Sequence, residues 1–141
     1  MVHQERLQIQ TQGRGFVDLT DRLREVVVRS GISAGLCSAF LRHTSAGLVI
    51  QENADPTVRN DLQRWIDHLA PEAPSYGDYA HADEGPDDMP GHLRAVLCRT
   101  SESVPVGGGR LLLGTWQALY LWEHRSGPHA REVIVTVMGE R

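Results

Sequence analysis

The sequence predicts an α+β fold, and three observations carry that reading. Most apolar runs alternate with period two, as half-buried strands do; only two segments show a clear helical period; and a long acidic stretch, with histidines, fits neither pattern. At 141 residues the chain, 1–141, is expected to form one domain. A hydrophobic fraction of 40% and a charged fraction of 23% are those of a globular protein. The net charge of -4 and the scattered basic residues give no general attraction to nucleic acid or to anionic membranes.

His3 to Thr11 alternates, with Leu7 and Ile9 on one face, and reads as a half-exposed strand. Gln12-Gly13-Arg14-Gly15 turns the chain into a short strand at Phe16 and Val17. Asp18 or Thr20 can accept hydrogen bonds from the first amides of a helix that buries Leu23, Val26 and Val27, and Gly31 closes it. From Gly35 a strand places Cys37, Ala39, Leu41 and His43 on one side. After the polar Thr44-Ser45, the run from Ala46 to Asn53 puts Leu48, Ile50 and Glu52 on a common side, and the two runs could pair as a hairpin.

Asp55-Pro56 opens the clearest helix, because aspartate caps free amides and proline suits the first turn. Val58, Leu62, Trp65, Ile66 and Leu69 form its apolar face, and Pro71 and Pro74 end it. Beyond Pro90, HLRAVLC could be a short helix or a strand, with helix favoured because Leu93, Val96 and Leu97 share its period and would form its apolar face. Val104-Pro105-Val106 and Leu111-Leu112-Leu113 flank three glycines as a hairpin does; these glycines precede a strand, so they lack the helix N-terminus of a phosphate loop. Thr115 to His124 is apolar on both faces and should be a central strand, and Arg131 to Met138 is another buried strand. Gln117 and Glu123 lie about 20 Å apart along such a strand, too far to share one ion in one chain.

Cys37 and Cys98 sit in apolar runs without C-x-x-C spacing, which reads as free thiols in a reducing compartment. The N-terminal residues lack an apolar leader, and no run approaches the ~18 apolar residues of a membrane span. The chain is therefore expected to be cytoplasmic.

Chemistry concentrates between Tyr76 and His92. This stretch is too polar to build core, yet it carries His81 and His92 with Asp78, Asp83, Glu84, Asp87 and Asp88. His43 stands at the rim of an apolar strand far upstream. Taken singly, His43 reads as a rim residue, while His68, His124 and His129 read as solvated. Convergence of His43, His81 and His92 would hold a divalent metal, zinc, with one coordination position open for Lewis-acid chemistry. Glu52 or a loop carboxylate would orient a ring or complete the shell, and Glu52 could serve as a general base.

His43-Thr44-Ser45-Ala46, Glu52-Asn53, Tyr79-Ala80-His81, Asp88-Met89-Pro90-Gly91-His92, Ser101, Val104-Pro105-Val106 and Leu113-Gly114-Thr115-Trp116-Gln117 resemble the YjbQ family in order and spacing. Glu123, Arg131 and Gly139 extend the resemblance over nearly the whole chain. It implies a barrel-like, largely antiparallel sheet with two main helices, a homotrimer, and histidines at a metal-capable site. The family pattern commonly has asparagine where Asp88 stands and alanine where Gly91 stands.

The family is also described as secondary thiamine-phosphate synthase, which implies joining a pyrimidine methyl diphosphate to a thiazole phosphate with loss of pyrophosphate. That reaction needs cationic help at the leaving group; the metal, with Arg42, Arg94 or Arg131, would provide it. The sequence thus points to a metal-dependent enzyme acting on a small phosphorylated or anionic substrate, with Ser101 and Gln117 as substrate contacts. The rivals are a metal-assisted hydrolase and a non-catalytic trimer that binds a metabolite or another protein.

Overall fold

The computed structural model describes residues 1–141. Alternation at Leu7, Ile9 and Thr11 builds β1 (Val2–Gln12), and after the turn at Gly13 comes β2 (Gly15–Asp18). The Asp18 carboxylate accepts from the Thr20 amide at 2.8 Å at the start of α1 (Thr20–Ser30), and Gly31, left-handed at φ 69°, ends that helix. Next come β3 (Ala34–Leu41), β4 (Ala46–Glu52), α2 (Pro56–Leu69), α3 (Asp88–Leu97), β5 (Ser101–Gly107), β6 (Arg110–Leu111), β7 (Gln117–Glu123) and β8 (Pro128–Glu140).

The strands form a five-stranded sheet in the order β1-β8-β3-β5-β6 and a three-stranded sheet in the order β2-β7-β4, antiparallel throughout. The larger sheet curls as a half-barrel, so the fold is α+β as expected. The inner faces of β3, β7 and β8 meet Leu23, Val26 and Val27 of α1 in one core. β7 is central in its sheet, as its two apolar faces require.

β3 and β4 do not pair as a hairpin. β3 bonds β5 and β8, whereas β4 bonds β7. Residues 42–45 therefore cross from one sheet to the other, which puts His43 and Thr44 at the seam between them.

Asp55 caps α2 by accepting from the Thr57 amide at 2.9 Å, with Pro56 in the first turn. The apolar face of α2 is only partly covered: Ile66 is buried, but Trp65 and Leu69 are half exposed.

α3 departs from expectation twice. It begins at Asp88, four residues before His92, and its buried side carries Asp88, Gly91 and Arg94 while Val96 and Leu97 face out. Paired charge, not hydrophobicity, docks this helix. Buried Arg94 reaches Asp67 of α2 at 2.9 Å and donates to the Ala70 carbonyl at 3.0 Å. Cys37 and Cys98 are both free thiols. No helix is long and apolar enough to cross a membrane.

Candidate metal centre

α2 ends at Leu69 and releases a loop that returns to start α3, and Asp87 anchors that return. Its carboxylate accepts from the Ser126 amide at 2.8 Å and hydroxyl at 2.9 Å, and from the Arg125 guanidinium at 3.2 Å. Burial alone would raise the Asp87 pKa, but these bonds outweigh it and hold the carboxyl at about 2.

One turn of α3 then places Asp88 and His92 at i and i+4, on the same side. Asp88 is 2% exposed. His81 Nε2 lies 2.8 Å from Asp88 Oδ2, and His92 Nε2 lies 3.3 Å from Asp88 Oδ1. The three ligand atoms all fall within 4.8 Å of one another. Asp88 Oδ2 is buried with His81 Nε2 as a close neighbour but no hydrogen bond, and Asp88 Oδ1 also lies 3.7 Å from Arg125 Nη1.

His92 is oriented from behind. Its Nδ1–H donates to the Thr44 carbonyl at 3.1 Å, so in the neutral ring the lone pair is on Nε2 and faces the carboxylate. Two acceptors cannot face each other at this range unless a proton or a cation fills the space. Close packing holds the arrangement: a Cβ added at Gly91 would meet Arg125 Cδ at 3.3 Å and Ser45 Cβ at 3.4 Å.

The structure brings together His81 and His92 of the three expected histidines, and Asp88 stands where His43 was expected. His43 Nε2 accepts the backbone N–H of Glu132 at 2.9 Å. Burial, and secondarily the Arg131 charge, pushes the His43 pKa below its ordinary value. A neutral ring that accepts at Nε2 carries its proton on Nδ1 and has no lone pair left for a metal. His43 nevertheless shares a cavity of about 330 Å³ with His92, walled by Thr44, Ala95, Val96 and Thr100.

Glu52 and Gln117 are not brought to this cluster. Ala46 pairs Glu123 at the seam end of β4 and β7, whereas Glu52 pairs Gln117 six residues away, about 20 Å along the strand. There Gln117 Oε1 accepts from the Gly114 amide at 2.8 Å and Glu52 Oε2 from the Asp55 amide at 3.1 Å, which stabilises a turn and a helix start. Ser101 is exposed where β5 meets Phe40 of β3, one residue from Thr100 in the cavity wall.

The three candidate phosphate arginines are already paired: Arg42 with Glu132, Arg94 with Asp67 and Arg131 with Glu123. The last pair is buried, and Glu123 also accepts from the Thr11 hydroxyl and from the His124 and Arg125 amides. Burial would raise the Glu123 pKa, but its bonds to Arg131 and Thr11 hold it below the usual carboxylate range. Arg131 also donates to Ser45 Oγ at 3.0 Å, beside the carbonyl that orients His92. His124, expected in solvent, is buried against Cys98 and Trp122, and desolvation pushes its pKa down to about 3.

Arg125 and the pairing of Glu123 with Arg131 were not expected, and Asp88 was foreseen only as one of the loop carboxylates. Asp88, Glu123 and Arg131 lay within the family resemblance, and the spacing of Asp88, Gly91 and Arg94 put those three on one side of α3.

The family model described as UPF0047 protein YjbQ-like matches residues 5–140. A UPF0047 protein of Synechocystis is 53% identical over 98% of this chain and 92% of its own length. The UPF0047 protein YjbQ of Escherichia coli is 40% identical over 99% of this chain and 100% of its own. A crystal structure of a YjbQ/UPF0047 family protein from Clostridium acetobutylicum is 36% identical, superposes with a TM-score of 0.86, and covers 95% of this chain and 99% of that one. The chain belongs to the YjbQ-like UPF0047 family.

Proposed function

We propose that this member of the YjbQ-like family is a metal-dependent enzyme. It holds one divalent cation, zinc, between His81, Asp88 and His92, and acts on a small phosphorylated or otherwise anionic substrate. The observation that carries this reading is the buried Asp88 Oδ2, 2.8 Å from His81 Nε2 yet without a hydrogen bond. A cation satisfies that oxygen and also the lone pair that His92 is made to present. Two imidazoles and one carboxylate form a recurrent zinc donor set that leaves a position open.

When bound, the cation supplies Lewis-acid polarisation of a substrate oxygen. The protein's own part is to fix the ligands: Thr44 sets the His92 ring, Asp87 locks the start of α3, and burial makes the Asp88 carboxylate costly to leave unpaired. Thiamine-phosphate synthesis is the named candidate reaction. Its departing diphosphate requires positive charge, and Arg42, Arg94 and Arg131 are committed to carboxylates, which leaves that task to the cation. Metal-assisted hydrolysis is the second reading, favoured by the 54% exposure of the His81 side chain, which opens the centre to water.

A homotrimer is the assembly inferred. It is supported by the half-exposed Trp65 and Leu69 on α2, and by Leu36, Phe40 and Met138, which are exposed on the outer side of the large sheet. Sedimentation tests this directly.

Zinc titration of chelator-treated protein should saturate at one ion per chain, and His92→Ala should abolish uptake. Turnover of the pyrimidine diphosphate and thiazole phosphate pair, and of a panel of phosphate esters and lactones, should then depend on restored metal. Wild-type protein that takes up no zinc, or His92→Ala that takes up as much, removes the reading.

A further inference from the structure

The same crossover, residues 42–45, supplies two groups that face α3 in different ways. Thr44 gives its carbonyl to His92 Nδ1, whereas His43 receives the Glu132 N–H at Nε2. A backbone amide can only donate, so it dictates the His43 tautomer: the remaining ring proton is on Nδ1. His43 lines the 330 Å³ cavity that has His92 at one side and Ala95, Val96 and Thr100 around it. A cavity of this size accepts a small molecule; Ala95 and Val96 give it an apolar side, and the two histidines and two threonines are the groups that can orient one.

We propose that His43 is a substrate-contact residue, not a metal ligand. Its Nδ1–H donates to an oxygen of a small ligand whose apolar body lies against Ala95 and Val96 and whose other oxygen reaches the cation. The ligand class is the small anionic compound of the reading above, with two oxygens and a short apolar substituent, for which a hydroxamate is the stand-in. This rests on the cation reading above and goes beyond it by naming what the neighbouring cavity recognises.

Two substitutions separate the halves of the ring. In His43→Gln the amide oxygen falls where Nε2 was and keeps the bond from Glu132, while the Nδ1–H is lost. In His43→Asn the amide nitrogen stands near Nδ1 and keeps a donor, while the Glu132 amide loses its acceptor. The probe is acetohydroxamate added to cobalt-loaded protein and followed by the cobalt visible bands.

Cobalt affinity should be unchanged in both variants, and the hydroxamate Kd should rise about tenfold in His43→Gln, the loss of one hydrogen bond. It should stay within about twofold of wild type in His43→Asn. Loss of cobalt in folded His43→Gln, with wild type binding normally, would make His43 a ligand and overturn the proposal while sparing the cation site. Equal hydroxamate affinity in wild type and His43→Gln, or equal weakening in both variants, overturns the contact alone. Should His43→Asn melt below the assay temperature, His43→Gln decides by itself. Failure of wild-type protein to bind cobalt removes the cation site and this contact with it.

Discussion

His81 Nε2 approaches Asp88 Oδ2 to 2.8 Å, and that oxygen is buried without a hydrogen bond. The pair comes from a loop and from the first residue of a helix, and a lone-pair nitrogen of His92 closes the third side. Asp88 Oδ1 has the Arg125 guanidinium at 3.7 Å, whereas a buried Oδ2 without a hydrogen bond is costly, and a cation between the three groups would offset that cost.

The charge on Asp88 is therefore expected to matter as well as its oxygen. Asp88→Asn preserves size and one carbonyl oxygen but removes the negative charge. Zinc affinity measured against a competing chelator should fall by at least about tenfold, with fold and melting temperature little changed. Undiminished affinity would place the cation elsewhere.

Gly91 lies inside α3, where glycine costs a helix up to about 1 kcal/mol relative to alanine. A methyl group there meets the flexible Arg125 Cδ at 3.3 Å, which a small side-chain shift relieves, and Ser45 Cβ at 3.4 Å, an ordinary van der Waals contact. Gly91→Ala should be neutral or should raise the melting temperature by about 3 °C, and zinc uptake should persist.

Gly47 gives the opposite result. A Cβ there would stand 2.3 Å from Cys98 Cβ, an atom attached directly to the backbone of the segment after α3. Gly47→Ala has to push apart β4 and that segment, which the Leu48–Arg99 bridge holds together. Urea unfolding should show a loss of about 2–3 kcal/mol.

Removal of Arg131 would leave Glu123, 0% exposed, without its ion partner. The Thr11 hydroxyl and two backbone amides still bond that carboxylate, so Arg131→Met should cost about 3 kcal/mol in urea unfolding at neutral pH, the lower end for a broken buried pair. The Ser45 contact goes too, and zinc affinity should weaken with it.

Asp87 makes stability depend on pH. Its folded pKa of about 2 lies below the ordinary 3.8, so its contribution is full above about pH 4 and is lost as pH falls through 2. The shift corresponds to about 2 kcal/mol. Asp87→Asn should be less stable than wild type by about that amount at pH 7, with the two converging near pH 2 in urea unfolding. A gap that does not narrow in acid would make the Asp87 contribution independent of its charge.

Much of the local structure was legible in the residues themselves. Alternation at Val133, Val135 and Val137, the Asp55-Pro56 helix opening, the left-handed Gly31 and the glycine hairpin before Leu111 all act over a few positions, and the fold keeps each of them. The polar stretch was singled out for histidines expected to converge with His43; the structure groups His81 and His92 with Asp88 and holds His43 on the Glu132 amide. The α3 face was misread because apolar spacing pointed to Val96 and Leu97, while the buried side is held by charges whose partners, Asp67 and Arg125, lie on other elements.

The sequence by itself determined the α+β class, the family and the identity of two of the three grouped side chains, because short-range periodicity and motif order are properties of the chain. Tertiary structure alone decided that β3 and β4 part into different sheets, that Asp88 completes the group, and that Glu52 and Gln117 lie a strand's length away. It also decided the tautomer of His43, which is set by the donor that reaches the ring, here the Glu132 amide, 89 positions along the chain.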